Sequence, residues 1–295
     1  MQTWSQFFSP KGLAFLETNI DLALAEDGAE LTAAGIFSPA TPMTARIRAK
    51  EESLVVGLPL VGLVLKRMQA PFRFTAFVHE GAKVPAMTDV TEITAPARVL
   101  LKAERIILNY ICHLSGIANL TARYVHALEG TGVRLLDTRK TTPGLRWLEK
   151  YAVQRGGGTN HRLDLESMLM LKDNHIDAAG SIQAACRQLR AQYPDCPPIE
   201  VECRTLEHVR DAIAAHADRI MLDNMAPSLL QEALIRIPET IETEVSGGVS
   251  LENIASLARQ KPRHPDFISV GRITHSSPAA DFSMTVLSEK TAHVS

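Results

Sequence analysis

The residues best suited to chemistry lie in three short polar segments, residues 137–144, 156–162 and 172–175. Arginine, lysine and histidine alternate there with threonine and glycine. Arginine presents a planar fork of donors to carboxylates and phosphates, and lysine supplies a mobile positive charge. Glycine lets backbone N–H groups approach an anion closely. The three segments therefore predict a pocket for small molecules that carry several negative charges.

The positive character of this region must come from geometry, because the region is not a basic run. Residues 137–175 contain seven lysines and arginines against five aspartates and glutamates. The whole chain has a formal net charge of −2 and a pI near 6.6, which argue against a nucleic-acid or membrane surface. A lone arginine or lysine at the end of a strand is usually solvated or paired with a carboxylate. A shared site therefore requires that the three segments meet in space.

The composition is that of an ordinary globular protein. The chain has 295 residues, of which 45% are hydrophobic and 22% charged, enough for one barrel-sized domain and a smaller one. Its four cysteines show no CxxC spacing, so we expect free thiols in a reducing cytoplasm. We expect neither a signal peptide nor a membrane span, because the apolar residues near the N-terminus are interrupted and no apolar run is long enough.

The first hundred residues predict a mixed α/β domain. Residues 44–49 and 72–77 alternate polar and apolar side chains, as half-exposed strands of an antiparallel sheet do. Residues 58–68 are predicted to be helical, with Pro59 in the first turn. A long amphipathic helix is predicted over residues 97–128, and the sequence leaves open whether it is broken near Ser115 and Gly116.

From residue 133 onward, short apolar runs that end on polar or small residues alternate with helical stretches. This alternation implies parallel strands with right-handed crossovers. Polar residues at the carboxyl ends of such strands are typical of the active site of a (β/α) barrel. The alternative is a doubly wound open sheet, but no GxGxxG sequence follows the first strand. The predicted strands are 133–136, 168–171, 199–201, 220–222, 244–245 and 267–270, and the predicted helix N-caps are Ser181, Thr205, Ser228 and Ser250.

A barrel would bring distant polar residues to one rim. These residues are Arg139, Lys140, Lys172, Glu202, Asp223, Gly247 and Gly248. Unpaired charges in such a cluster are costly unless a ligand neutralises them. The structural alternative is that the glycines at 156–158 form only a flexible loop, and that Asp137, Glu202 and Asp223 pair with neighbouring cations for stability.

The motifs of this chain resemble those of the quinolinate phosphoribosyltransferase family, the nicotinate-nucleotide pyrophosphorylases that decarboxylate their product. The resemblance is most specific for Asp-Thr-Arg-Lys-Thr-Thr-Pro-Gly-Leu-Arg at 137–146 and for Gly-Gly-Gly-x-Asn-His-Arg at 156–162. Further motifs at 104–118, 149–153, 172–176, 200–202, 220–224, 244–249 and 268–271 extend it over nearly the whole chain in order.

The resemblance implies an α/β enzyme with two domains. An N-terminal α/β sandwich domain would comprise residues 1–115, completed by 276–295, and an open, incomplete (β/α) barrel would comprise residues 116–275. The family resemblance also implies a homodimer in which the sandwich of one subunit covers the barrel rim of its partner, so that Arg105 would reach the neighbour's site. The implied reaction transfers phosphoribose from phosphoribosyl pyrophosphate to quinolinate, with decarboxylation, in NAD biosynthesis.

The same resemblance implies roles for the predicted site residues. The pyridine dicarboxylate and the phosphates would be bound by Thr138, Arg139, Lys140, His161, Arg162 and Lys172. Glu202 and Asp223 would face the ribose hydroxyls and a Mg²⁺ ion. The 5′-phosphate would lie against the backbone of Ser246, Gly247, Gly248, Val270 and Gly271. Lys140, Glu202 and Asp223 would be catalytic, because they would offset charge on the departing pyrophosphate and on the positive sugar.

Two features depart from the family pattern. The acidic-glycine stretch at 26–32 is short and has Glu30 where aspartate is expected, and Arg272 stands where a small residue is usual, either as a phosphate contact or exposed to solvent.

Three other functions stay open from the sequence. The first is a Schiff-base barrel aldolase with Lys172 or Lys140 as nucleophile. The second is the molybdenum-associated paralogue of the family. The third is a non-catalytic phosphosugar-binding protein, which Glu202 and Asp223 disfavour because an anion binder gains nothing from carboxylates beside phosphates.

Overall fold

The computed structural model describes residues 2–287. In chain order the helices and strands are α1 (Trp4–Phe7), α2 (Pro10–Glu26), α3 (Leu31–Ile36), β1 (Pro42–Ala49), β2 (Ser53–Leu54), α4 (Leu58–Arg67), β3 (Arg73–Ala76), β4 (Lys83–Val84), β5 (Thr88–Pro96), α5 (Ala97–Ala127), β6 (Arg134–Leu136), α6 (Arg146–Arg155), β7 (Leu169–Leu171), α7 (Asp173–Ala179), α8 (Ile182–Gln192), β8 (Ile199–Cys203), α9 (Leu206–Ala214), β9 (Arg219–Asp223), α10 (Pro227–Arg236), β10 (Glu242–Ser246), α11 (Ile254–Ala258), β11 (Phe267–Ser269), α12 (Arg272–His275) and β12 (Phe282–Val286).

The chain forms two compact units. The first contains the described residues up to Thr121, residues Thr141–Gly157, and the described residues from Ser276 onward; the second contains Ala122–Lys140 and Gly158–His275. The domain limits expected from the sequence, at residues 115 and 275, stay a prediction. Residues 288–295, which that prediction assigned to the first domain, lie outside the described residues.

An antiparallel sheet of four strands, in the order β12-β1-β5-β3, forms the first unit together with its helices. Strand β1 pairs on one side with β12 and on the other with β5, so that Ala45 lies opposite both Val286 and Ile93. The buried side chains of Ala45 and Ile93 face the core of this unit. The strands predicted at 44–49 and 72–77, the helix predicted at 58–68 and the antiparallel pairing are confirmed by β1, β3 and α4.

Helix α5 runs through Ser115 and Gly116 without a break. The two small residues serve close packing instead of ending the helix. The Ser115 hydroxyl accepts a hydrogen bond from the Val56 N–H group (3.0 Å). A Cβ atom at Gly116 would lie 2.1 Å from the carbonyl oxygen of Pro278, so only glycine lets that segment approach.

This contact predicts that Gly116→Ala destabilises the protein by about 2 kcal/mol, because overpacking against rigid backbone typically costs 1–3 kcal/mol. The measurement is the free energy of unfolding in urea. Gly62→Ala is the matched control, since Gly62 lies in α4 with no atom within 4 Å of its added Cβ. The control is expected to gain up to about 1 kcal/mol from helix propensity. Equal changes in both variants would show that the close approach at Gly116 is unimportant.

The second unit contains one sheet of six parallel strands in the order β6-β11-β10-β9-β8-β7. Strands β7 to β11 lie side by side in chain order, and β6 pairs with β11, as expected for a barrel that closes on that side. In the described part of the chain β6 and β7 do not pair, so the barrel is open there. The order shows none of the reversal that defines a doubly wound sheet. The predicted open, incomplete (β/α) barrel is confirmed.

Two of the four predicted N-caps are confirmed. The hydroxyls of Ser181 and Thr205 accept hydrogen bonds from N–H groups in the first turns of α8 and α9. The predictions for Ser228 and Ser250 are wrong. Helix α10 already begins at Pro227, whose fixed φ suits the first turn, and α11 begins only after Asn253. Within residues 2–287, no helix has the length and apolar character that a membrane span needs.

Candidate active site

A cavity of about 480 Å³ lies at the carboxyl ends of the parallel strands of the second unit. A second cavity of about 300 Å³ shares four of its lining residues, Thr138, Lys140, Ser246 and Ser269. Residues at or just after the ends of these strands line the cavity, because side chains and loops at the carboxyl ends of parallel strands point the same way. The larger cavity is lined by Thr138, Arg139, Lys140, His161, Arg162, Met170, Lys172, Glu202, Arg204, Met221, Asp223, Asn224, Glu244, Ser246 and Ser269.

Three cations line this cavity without an ion-pair partner among the described residues, namely Arg139, Lys140 and Arg162. The Nε atom of Arg139 is buried and has no hydrogen-bond partner in the described part of the chain. Burial and the neighbouring charge of Arg139 lower the pKa of Arg162. Cations held in this way are stabilised by an anionic ligand that brings both charge and acceptors.

The same cavity also carries carboxylates from two adjacent strands. Glu202 lies in β8 and Asp223 ends β9, and both side chains are mostly buried. The Lys172 ammonium group lies 2.8 Å from Glu202 Oε2. The Arg204 guanidinium donates to Glu202 Oε1 (2.9 Å) and to Asp223 Oδ2 (3.4 Å). These carboxylates therefore offer oxygen ligands that already have counter-cations of their own.

A buried cluster of His161, Glu200 and Glu244 forms the floor beneath the rim. His161 Nε2 lies 2.9 Å from Glu200 Oε2 and 3.3 Å from Glu244 Oε2, while the Arg162 N–H group donates to Nδ1. Burial would lower the pKa of His161, but hydrogen bonds and charge from both glutamates raise it to about 9. Burial and the charge of Glu244 raise the pKa of Glu200 to about 7. With His161 protonated and both glutamates ionised, the cluster carries a net charge of −1, and the Arg219 guanidinium lies 3.6 Å from Glu244 Oε2.

We predict that His161→Gln lowers the free energy of unfolding by about 3 kcal/mol, because removing the cation leaves the buried carboxylates of Glu200 and Glu244 without a counter-charge. Urea unfolding at neutral pH, below the His161 pKa of about 9, measures the loss. His126→Gln is the matched control, since His126 pairs with Glu129 at 3.1 Å but both side chains are exposed. An exposed pair contributes at most about 1 kcal/mol. A loss at position 161 no larger than that at 126 would contradict a stabilising role for the buried cluster.

The second cavity is lined by backbone-rich loops after β10 and β11. Gly247 and Gly248 have positive φ angles of 92° and 60°. A Cβ atom at Gly247 would lie 2.2 Å from Asn224 Oδ1, and one at Gly271 would lie 3.0 Å from Lys140 Cδ. Glycine at these positions lets the backbone and the Lys140 side chain share one small space. Within residues 2–287, no protein acceptor receives a hydrogen bond from the N–H groups of Gly247, Gly248 or Gly271.

Two family models together match almost the entire described chain. Residues 19–115 match the N-terminal domain of quinolinate phosphoribosyl transferase, and residues 117–285 match the C-terminal domain. The chain belongs to the quinolinate phosphoribosyltransferase family.

Named relatives agree with this family. A Bacillus subtilis (strain 168) protein named probable nicotinate-nucleotide pyrophosphorylase (carboxylating) is 40% identical, over 87% of this chain and 88% of its own. The Homo sapiens nicotinate-nucleotide pyrophosphorylase (carboxylating) is 35% identical, over 96% and 98%. A crystal structure of NadC from Streptococcus pyogenes matches with a TM-score of 0.85 and 38% identity, covering 92% of this chain and 97% of that one.

The structure brings most of the predicted site residues of this family member to one rim. Those that line the larger cavity are Thr138, Arg139, Lys140, His161, Arg162, Lys172, Glu202, Asp223 and Ser246, and Gly247, Gly248, Val270 and Gly271 line the smaller one. Val270 forms part of the wall only, because its N–H group donates to the Leu136 carbonyl. Arg105 is exposed on α5 and is not among the described residues that line either cavity. Arg272 is exposed at the edge of the smaller cavity.

Sequence reasoning missed several residues of the site. Arg204, Asn224 and Ser269 line the larger cavity, and Glu200 and Glu244 hold His161. The sequence did contain a signal for Glu200, which is its spacing from Glu202. It precedes Glu202 by two positions in a strand, so both side chains point to the same face of the sheet. Asp137, in contrast, is a structural residue whose buried carboxylate accepts hydrogen bonds from the His161 N–H group and the Asn160 amide.

Proposed function

We propose that this protein transfers the phosphoribosyl group of phosphoribosyl pyrophosphate to quinolinate and releases pyrophosphate, CO₂ and nicotinate mononucleotide, a step of NAD biosynthesis. One observation carries the proposal: one cavity at the strand ends is lined both by cations without ion-pair partners among the described residues and by mostly buried carboxylates. A protein that bound only anions would gain nothing from the carboxylates. A protein that bound only cations would gain nothing from arginines without ion-pair partners.

The arginine side of the cavity suits the two adjacent carboxylates of quinolinate. Arg139 and Arg162 offer planar donor pairs, and a ligand carboxylate would relieve the repulsion between them. Thr138, His161 and Lys172 line the same cavity. Quinolinate bound there would present its ring nitrogen towards the carboxylates of β8 and β9.

The sugar diphosphate would occupy the part of the larger cavity that Glu202 and Asp223 line, together with the smaller cavity. The free N–H groups of Gly247, Gly248 and Gly271 suit the 5′-phosphate. Lys140 lines both cavities and would offset charge on the departing pyrophosphate. Glu202 and Asp223 would stabilise the positive charge that develops on the sugar as the bond to pyrophosphate breaks.

The donor set of Glu202 and Asp223 also fits Mg²⁺, which binds proteins through one or two carboxylates and completes its shell with phosphate and water oxygens. Bound there with the sugar diphosphate, Mg²⁺ would neutralise phosphate charge.

Decarboxylation follows from the electronics of the product of transfer. The ring nitrogen becomes cationic once it carries ribose, and its positive charge stabilises the electron pair that stays on the neighbouring carbon when the C–CO₂ bond breaks. The carbon then takes a proton, and nicotinate mononucleotide results. A cavity that replaces water around this carboxylate would accelerate its loss.

The test is to incubate the protein with quinolinate, phosphoribosyl pyrophosphate and Mg²⁺ and to measure nicotinate mononucleotide and CO₂. Nicotinate in place of quinolinate is the control, and we expect no turnover because it lacks the carboxylate to be lost and one anchor. Absence of product from quinolinate would overturn the proposal. No observation favours an aldolase, since Lys172 is ion-paired with Glu202 and is a poor candidate for a nucleophilic amine.

The proposal includes a cytoplasmic homodimer with shared sites, supported by the four free cysteines and by the exposure of Arg105.

We predict that Arg105→Ala and Lys140→Ala are each inactive and that mixing them restores activity. Random exchange of subunits would leave about a quarter of all sites intact in hybrid dimers. Activity is measured after mixing and after reversible dissociation, and wild type mixed with Lys140→Ala is the control. No recovery from the two inactive variants would argue against shared sites.

A further inference from the structure

The guanidinium group of Arg204 lies among three carboxylates that come from β8, β9 and the first residue of α7. It donates to Glu202 Oε1 at 2.9 Å, to Asp173 Oδ2 at 3.0 Å and to Asp223 Oδ2 at 3.4 Å. Arg204 immediately follows β8, and its side chain is half exposed at the rim of the larger cavity. A single movable cation thus contacts both carboxylates that suit Mg²⁺.

This arrangement occupies the oxygen atoms that a metal ion would need. Arg204 takes Oε1 of Glu202 and Lys172 takes Oε2, so both oxygens of that carboxylate already face a positive charge. A divalent cation arriving from water would have to displace the guanidinium and would be repelled by both side chains. Mg²⁺ also gives up its water shell reluctantly. The carboxylate pair is therefore poorly available to a metal ion on its own.

We infer that Arg204 is an internal counter-cation that withholds Glu202 and Asp223 from free divalent cations, so that the metal binds together with the sugar diphosphate. This inference rests on the proposed function, because it takes the diphosphate as the second ligand. The phosphates would offer the displaced guanidinium a new bidentate partner. Metal and diphosphate would then strengthen each other's binding, which is a positive coupling between the two ligands.

The first test measures Mn²⁺ binding to the full chain by electron paramagnetic resonance, with no other ligand present. We expect Arg204→Met to bind Mn²⁺ at least about tenfold more tightly than the wild type, because one positive charge is removed beside a divalent ion. Arg210→Met is the matched control. Arg210 is an exposed arginine on α9 that also pairs with two carboxylates, Glu207 and Asp211, but lines neither cavity. It should leave the affinity unchanged.

A second variant tests whether the added Mn²⁺ affinity comes from the carboxylate oxygens of Glu202. Glu202→Gln in the Arg204→Met background should return Mn²⁺ binding to the wild-type level or below. Unchanged affinity in Arg204→Met, or a gain that Glu202→Gln does not remove, would overturn the inference. Circular dichroism checks that each variant is folded.

The third measurement tests the coupling. Phosphoribosyl pyrophosphate without quinolinate should tighten Mn²⁺ binding in the wild type by a larger factor than in Arg204→Met. An equal increase in Mn²⁺ affinity in both proteins would show that Arg204 does not control metal binding, even if it contacts the phosphates. None of these Mn²⁺ binding measurements requires the protein to turn over a substrate. Failure to form nicotinate mononucleotide while the Mn²⁺ results hold would overturn the proposed reaction and leave the role of Arg204 in place.

Discussion

Replacing Lys140 with alanine is expected to lower turnover of quinolinate roughly 10³-fold while weakening quinolinate binding less than about threefold. The Lys140 side chain is exposed, forms no ion pair among the described residues and lines both cavities. Its charge is therefore available to the departing pyrophosphate, whose charge grows only as the bond breaks. An interaction made mainly in the transition state lowers turnover when it is removed and leaves ground-state binding nearly intact.

The substitution should remove the amine without moving the loop. The Lys140 N–H group donates to the Thr138 hydroxyl, and its carbonyl accepts from the Thr274 hydroxyl at 2.8 Å, so the backbone is held from both sides. The measurements are kcat and KM for both substrates and the dissociation constant of quinolinate by calorimetry. Lys83→Ala, at an exposed lysine paired with Glu52, is the control and should match the wild type. Equal losses in binding and turnover would make Lys140 a substrate clamp.

The barrel and most of its rim were predictable because two independent signals agree there. Apolar runs marked the buried parallel strands, and the residue that ended each run marked the side where the strands open. Lys172, Glu202 and Asp223 were found in this way without knowledge of any contact. Strand β5 gave a weaker signal. A β-bulge opposite Ile47 and Arg48 buries both Val90 and Thr91, which breaks the alternation that would have revealed the strand.

Side-chain partners across the site were not predictable, because they depend on distances between loops that are remote in sequence. Arg204 follows a strand, where an arginine is usually solvated. Its carboxylate partners lie up to 31 positions away, at Asp173 and Asp223. The same limit applies to His161, which was expected to bind substrate directly. That role stays a prediction. The Nε2 atom of His161 faces two buried glutamates, and only the folded barrel brings Glu244 within 3.3 Å of it.

The second large effect is expected at Arg139, where function and stability should move in opposite directions. Within residues 2–287, the buried Nε atom of Arg139 has no hydrogen-bond partner, and Arg162 places a second positive charge nearby. An unsatisfied buried donor costs about 1–3 kcal/mol. Arg139→Met keeps much of the packing and removes the donor and the charge, so we expect the free energy of unfolding to rise by about 1 kcal/mol.

The same substitution should weaken quinolinate binding about 100-fold, because charge-assisted bidentate hydrogen bonds to a carboxylate contribute 2–3 kcal/mol and each 1.4 kcal/mol is a factor of ten. Urea unfolding and calorimetric titration of quinolinate measure the two effects on the same protein samples. Arg187→Met, at an exposed arginine of α8 that lines neither cavity, should change neither quantity. A variant that is less stable yet binds quinolinate normally would make Arg139 a structural residue. That result would also mean that Arg162 and its neighbours bind both carboxylates of quinolinate.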